Sequence, residues 1–335
     1  MTKILAYNIL PYEEEFVLEW RKKHPEVQVD YNDIELHDDT VDLAKGYDGI
    51  DYRQRSKLTD KPDLYKRLHE LDIHQLALRS AGVDSCNLPW AKENGLTITN
   101  VPSYSPRAVA EMTLTHSMNL IRHIPQFQDR LRNNDYIVNG LRSKEISNLT
   151  IGIIGVGRIG STVAKIFTAL GAKKVLGNDL KENDDFKDFV QYTTKDDIFK
   201  NADLITIHVY GSLENRHMIG AEQFKKMKNS VLFVNCSRGP VVDTEALISA
   251  LENKEIAGAG IDVIEDETTI FNKTFNGGDI PLKTYKKLKA MNNVFLTPHV
   301  AFYTDHAVKN MVEQSLDDTL MEITGKESPH RVNAG

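Results

Sequence analysis

Thr150–Gly160, TIGIIGVGRIG, decides the reading of this chain. An apolar strand, Ile151, Ile153 and Ile154, runs straight into Gly155-x-Gly157-x-x-Gly160. A helix follows, with Val163, Ile166, Phe167 and Leu170 on one face and Gly171 as its stop. A second apolar run then ends at Asp179. Each part has a physical task. Gly155 permits a tight turn, Gly157 lets backbone approach a pyrophosphate, and Gly160 lets helix and strand pack closely. The N–H groups and dipole at the helix start attract phosphates. Asp179 can accept hydrogen bonds from a ribose and would repel a 2′-phosphate, so the pattern points to NAD rather than NADP.

Outward from that motif, 335 residues suggest two domains, each with its own core. A net charge of −7 without a long basic run argues against nucleic acid or a membrane surface as partner. No stretch approaches a membrane span, and MTKILAYNIL, leading into the acidic Glu13–Glu15, lacks a signal-peptide layout. The two cysteines, Cys86 and Cys236, exclude a disulfide framework and suit the cytoplasm. The histidines show no metal-ligand spacing, so no metal site is expected.

Before the glycine motif, strands are predicted at Lys3–Tyr7, Val27–Tyr31, Tyr47–Ile50, Leu76–Arg79 and Leu96–Thr99. Helices lie between them, among them Glu13–Lys23 and Pro62–Leu71. The alternation reads as a parallel sheet with crossover helices. Ser105-Pro106 then caps a helix to about His123, apolar on more than one side, read as an interdomain helix that also packs on another subunit. After it, six strands are predicted: Ile151–Ile154, Lys174–Asn178, Leu204–Val209, Val231–Asn235, Gly258–Val263 and Val294–Thr297. A last helix, Thr304–Ile323, has no strand of its own and could cross back to the first domain.

Ligands of open α/β sheets sit beyond the carboxyl ends of the strands. Arg238 follows one predicted strand, the acidic run Asp262-Val263-Ile264-Glu265-Asp266-Glu267 another, and His299 a third. Hydride addition to a ketone builds charge on oxygen, which a histidine can meet with a proton. A carboxylate can orient that ring, and an arginine can grip a substrate carboxylate in a fork. Taken singly, each has a plainer reading as a structural histidine, a surface ion pair or a solvated acidic loop.

With these motifs the sequence resembles the D-2-hydroxyacid dehydrogenase family, in its D-lactate dehydrogenase-like branch. The carrying stretches are Asn100–Met112, Gly152–Gly160, Val234–Leu247, Gly258–Thr268 and Thr297–Val312. The resemblance implies an α/β fold of two doubly wound parallel-sheet domains. A Rossmann NAD-binding domain, residues 104–301, is inserted in a flavodoxin-like substrate domain, residues 1–103 and 302–335. It implies His299 as acid/base, Glu267 as its partner and Arg238 as substrate clamp. Backbone N–H groups of Ala81 and Gly82 are implied to bind the substrate carboxylate, facing Arg238 across a cleft, with Tyr104 and Phe302 lining the pocket. For NAD it implies Arg158 and Ile159 at the pyrophosphate beside Gly155, Gly157 and Gly160, and Asp179 at the ribose. Val209 and Asn215 fall on the adenosine side, and Cys236, Ser237 and Asp262 near the nicotinamide. It also implies a homodimer. One departure is Tyr210, where the family often has proline after His-Val.

The resemblance implies NAD-dependent reduction of small 2-oxo acids to D-2-hydroxy acids, with pyruvate to D-lactate first and 2-oxoisocaproate close behind. Arg53, in the segment Asp48–Arg55, aligns with a position facing the substrate side chain. Arg53 there would favour an oxo acid with a second carboxylate, such as 2-oxoglutarate or oxaloacetate; the plainer reading is a surface arginine in a polar loop. An NAD-sensing co-repressor is the alternative of another class, and the lack of long flanking tails favours the enzyme. Phosphoglycerate and formate dehydrogenases fit less well: no extra domain follows residue 325, and the histidine's partner is glutamate rather than glutamine.

Overall fold

A computed structural model describes residues 1–53 and 56–332. Gln54 and Arg55, at the end of the segment expected near the substrate, and residues 333–335 lie outside the described residues. The chain divides into two units, Met1–Ser105 with Tyr303–Gly335, and Pro106–Phe302.

The first unit is a five-stranded parallel sheet of β1 (Thr2–Ala6), β2 (Val27–Tyr31), β3 (Gly49–Tyr52), β4 (Gln75–Leu78) and β5 (Thr97–Asn100), in spatial order β2-β1-β3-β4-β5. This is the flavodoxin-like order. Helices α1 (Pro11–Lys23), α2 (Pro62–Glu70) and α3 (Leu88–Glu93) each carry proline in the first turn, where a missing N–H costs nothing. The C-terminal helix Asp305–Ile323, capped by the Thr304 hydroxyl, packs on α1, β3, β4 and β5. Beyond it the chain returns alongside β5: Asn100 N–H donates to the His330 carbonyl at 3.2 Å and Val332 N–H to that of Ile98 at 2.9 Å.

The second unit opens with α4 (Pro106–Ile121) and α5 (Ile124–Arg132), separated by His123 at φ 53°. Seven parallel strands follow: β6 (Thr150–Ile154), β7 (Lys174–Asn178), β8 (Gln191–Tyr192), β9 (Leu204–Ile207), β10 (Leu232–Asn235), β11 (Gly258–Ile261) and β12 (Val294–Leu296). Their order, β12-β11-β10-β9-β6-β7-β8, is the doubly wound dinucleotide arrangement. Helices α6 (Arg158–Ala169), α7 (Lys195–Asn201), α8 (Ala221–Lys226), α9 (Thr244–Glu252) and α10 (Lys283–Ala290) complete it.

Predicted strands match observed ones within two residues at either end, but six becomes seven because Gln191–Tyr192 pairs with β7. Leu170, expected on the apolar face of the glycine-motif helix, is 48% exposed. The helix ends one residue earlier, at Ala169, so Val163 and Phe167 form its buried face. Within this unit α4 buries Val109, Thr113, His116, Ser117 and Leu120, and leaves Met112, Leu114 and Met118 half-buried. Among the described residues no helix is long and apolar enough to cross a membrane.

Candidate functional site

The glycine loop lies between β6 and α6, where β6 has β9 on one side and β7 on the other. Gly155 adopts φ +90°, and a Cβ there would stand 2.4 Å from the His208 carbonyl oxygen of the β9 exit. A Cβ on Gly160 would stand 1.9 Å from the Gly155 carbonyl oxygen, so helix and loop close up only on glycine. Gly157 differs: nothing lies within 4 Å of a Cβ built there. Gly157 and Arg158 are exposed and Ile159 half-buried at the start of α6. This open, N–H-bearing helix start fits a pyrophosphate. Asp179, just past β7, accepts the Val156 N–H at 2.7 Å, which ties its carboxylate to the loop on the side where a ribose belongs.

Val209 and Asn215 lie on the segment leaving β9. Val209 is half-buried, and the Asn215 amide donates to the Tyr210 carbonyl at 3.0 Å, shaping that turn. Leaving β10, Cys236 is buried and burial raises its thiol pKa well above the usual range. The Asn235 side-chain oxygen accepts from both N–H and hydroxyl of Ser237. Arg238 follows, half-buried, with one guanidinium N–H on the Ser237 carbonyl at 2.9 Å. A Cβ on Gly239 would stand 2.2 Å from the Ile264 backbone. The β10 and β11 exits are therefore in close contact, which holds the arginine loop against the acidic one.

The structure brings His299 and Glu267 together: Nδ1 lies 2.5 Å from Oε1. The other glutamate oxygen accepts the Ile264 N–H at 3.0 Å, so the carboxylate is fixed from both ends. Glu265 is engaged elsewhere, with Arg216, His217 and the Thr244 N–H. His299 sits in the left-handed region at φ 55°. Asp262 holds that turn, fully buried. It accepts from Thr297 Oγ1 at 2.5 Å, Val300 N–H at 2.9 Å and Ala301 N–H at 3.0 Å, while its own carbonyl takes the His299 N–H at 2.8 Å. Because the single Thr297 proton goes to Asp262, His116 Nε2, 2.8 Å away, is the donor to Thr297. Phe302 stands edge-on to the His299 ring at 6.3 Å. Nothing in the sequence singled out His116 and Thr297, which form this support.

In the first unit, Ala81 and Gly82 follow β4. Their carbonyls accept from Asn100 Nδ2 at 2.7 Å and Ser80 Oγ at 2.6 Å. Neither amide N–H has an acceptor among the described residues, leaving two donors for a ligand. The Tyr104 carbonyl accepts from Asn310. Arg53 is not the free cation the sequence allowed. It is 8% exposed, its Nη1 lies 3.1 Å from Glu13 Oε2, and its Nη2 donates to the Tyr12 hydroxyl at 2.7 Å. The physical reason is α1, whose first turn places Glu13 facing the β3 exit rather than solvent. Among the described residues no cluster of three or more His, Cys, Asp or Glu could hold a metal.

Comparison with known proteins adds the following. The family described as "D-isomer specific 2-hydroxyacid dehydrogenase, NAD binding domain" matches residues 114–301. A D-lactate dehydrogenase of Lactiplantibacillus plantarum is 40% identical over 97% of this chain and 97% of its own. An aromatic 2-oxoacid reductase of Clostridium sporogenes is 39% identical over 94% of each chain. The NAD-complexed structure of a D-isomer specific 2-hydroxyacid dehydrogenase from Lactobacillus delbrueckii ssp. bulgaricus has a TM-score of 0.87 and 41% identity, covering 99% of this chain and 100% of that one.

Proposed function

The chain belongs to the family of D-isomer specific 2-hydroxyacid dehydrogenases, NAD-dependent oxidoreductases, and from that premise we propose that it reduces small 2-oxo acids to D-2-hydroxy acids, pyruvate to D-lactate first. The observation that carries the reading is the His299–Glu267 pair at 2.5 Å, held on the carboxyl-end rim of the sheet that also bears the glycine loop.

When bound, NADH supplies a hydride for the carbonyl carbon. His299 gives its proton to the carbonyl oxygen as charge builds there, and Glu267 keeps the ring aimed and its charged form balanced. Arg238 grips the substrate carboxylate and polarises the carbonyl. In the first unit the N–H groups of Ala81 and Gly82 are donors suited to a substrate carboxylate, and Tyr104 there and Phe302 in the second unit are the side chains we assign to substrate binding. The open helix start at Gly157, Arg158 and Ile159 holds the pyrophosphate, Asp179 the ribose, and Val209 and Asn215 the adenosine side. Cys236 and Ser237 border the nicotinamide side. Asp262 serves there chiefly through the His299 turn, since its oxygens already accept three hydrogen bonds.

We also read the protein as a cytoplasmic homodimer. Both cysteines are unpaired, which suits a reducing compartment. Around and beyond α5, Leu131, Tyr136, Ile137 and Val138 are exposed apolar residues of the kind a second copy covers. A sedimentation mass equal to one chain removes the dimer.

The test of the reaction is NADH oxidation across a panel of 2-oxo acids, with chiral analysis of the product, in wild type and His299→Gln. Wild type is expected to form the D-acid, and the variant to lose roughly 10²–10⁴-fold in turnover at nearly unchanged NADH affinity. An L-product, or a fully active variant, overturns the mechanism. Absence of turnover on every acid, with NADH still bound, favours the sensor class instead.

A further inference from the structure

In a parallel sheet of order β2-β1-β3-β4-β5, the crevice for a ligand opens between β1 and β3, where successive connections leave on opposite faces. Two segments of the first unit meet there. One runs from β1 into α1 and carries Tyr12 and Glu13; the other leaves β3 at Arg53. Glu13 is 1% exposed. It is pinned by the first turn of α1, where its Oε2 accepts the Leu10 N–H at 2.9 Å. The same oxygen lies 3.1 Å from Arg53, and its Oε1 3.5 Å from Arg79 Nε. Arg79, fully buried, pairs in turn with Asp51. Asp51, Arg79, Glu13 and Arg53 thus form a chain of alternating sign with no net charge. At its outer end the guanidinium carbon of Arg53 lies 5.5 Å from the centre of the Tyr12 ring, and Tyr12 meets Tyr303 edge-on at 4.7 Å.

We infer that Glu13 masks Arg53 and thereby sets the substrate class: the crevice takes 2-oxo acids with a single carboxylate, whose apolar or aromatic side chain meets Tyr12 and Tyr303, and turns away dicarboxylates. The inference rests on the 2-oxo acid reductase reading above and narrows it. A second carboxylate entering beside Arg53 meets a cation already balanced by a buried anion that cannot swing out without abandoning the Leu10 N–H. Rejection therefore comes from an arginine whose charge Glu13 already balances, which leaves a second carboxylate to be desolvated with no free cation to meet it. Tyr12, whose hydroxyl pKa burial raises, stays protonated and accepts from Arg53, so it adds no charge of its own.

The experiment compares kcat/KM with NADH for pyruvate, phenylpyruvate, oxaloacetate and 2-oxoglutarate in wild type, Glu13→Gln and the double variant Glu13→Gln/Arg53→Met. Wild type is expected to favour the monocarboxylates. Glu13→Gln unmasks the guanidinium and raises the dicarboxylate-to-monocarboxylate ratio roughly tenfold or more. The double variant, with neither charge, returns that ratio to within about threefold of wild type. A folded Glu13→Gln with an unchanged ratio overturns the inference, as does a wild type that prefers dicarboxylates. Should Glu13→Gln not fold, the double variant decides: a ratio near wild type supports the mask, and a roughly tenfold fall means that Arg53 was acting as a free cation. Intact pyruvate turnover in these outcomes separates failure of the mask from failure of the reductase reading, which would abolish turnover on all four acids and end both.

Discussion

Asp179 reaches back to the glycine loop through the Val156 N–H, so the carboxylate proposed for the ribose also shapes the loop. On that proposal its charge would discriminate against a 2′-phosphate. Asp179→Ser is expected to raise the NADPH/NADH ratio of kcat/KM by roughly tenfold or more, since it removes that repulsion; an unchanged ratio contradicts the assignment. Single residues were unevenly legible in the sequence. Asp179, His299 and Arg238 stand out because each lies within three residues of a strand end. Glu13 did not, because Glu13-Glu14-Glu15 reads as a solvated acidic run. Only the first of the three is buried, and what buries it is a strand end forty residues away in sequence. Thr297 escaped notice for a similar reason: its value lies in hydrogen bonds to Asp262 and His116, both remote along the chain.

At the scale of elements, the β6–α6 turn gives Gly157 and Gly160 the different surroundings that their places in the motif led one to expect. Gly160 is required for packing, whereas Gly157 faces open space and is the one proposed to admit a pyrophosphate. Gly160→Ala drives a methyl into the Gly155 carbonyl and is expected to cost about 1–3 kcal/mol or more, read as a lowered urea midpoint. Gly157→Ala meets open space in an extended conformation, φ −78°, and should leave the midpoint nearly unchanged while weakening NADH binding roughly tenfold or more. Equal loss of stability in both variants would show that the distinction is false. The longer strands were readable because buried parallel strands appear as apolar runs. The two-residue β8 has no such run and owes its pairing to Leu176 and Gly177 opposite. The helix α5 buries none of its residues, and its short stripe of Ile124, Phe127 and Leu131 follows the α4 pattern after only two residues, so the sequence does not set it apart.

Across the whole molecule, histidines held neutral by burial couple folding to pH: His116, and also His208, whose pKa burial lowers to about 3. Burial holds the His116 pKa down to about 4, against 6.5 for the free side chain, with Asp262 opposing only in part. Between those values the unfolded chain takes up a proton that the native protein refuses, so stability rises with pH there and is lost as pH falls from about 6.5 to about 4. The effect is of order a few kcal/mol at most. Urea midpoints at pH 7 and pH 4.5 should differ less in His116→Gln than in wild type; equal differences would exclude the histidine. The same scale gives meaning to residues 330–332. By bonding alongside β5 they occupy backbone groups that would otherwise lie open at the margin of the five-stranded sheet. Proteolytic clipping of that tail would bare a ready template for strand addition, so a trimmed protein should be prone to self-association and aggregation even where its chemistry survives.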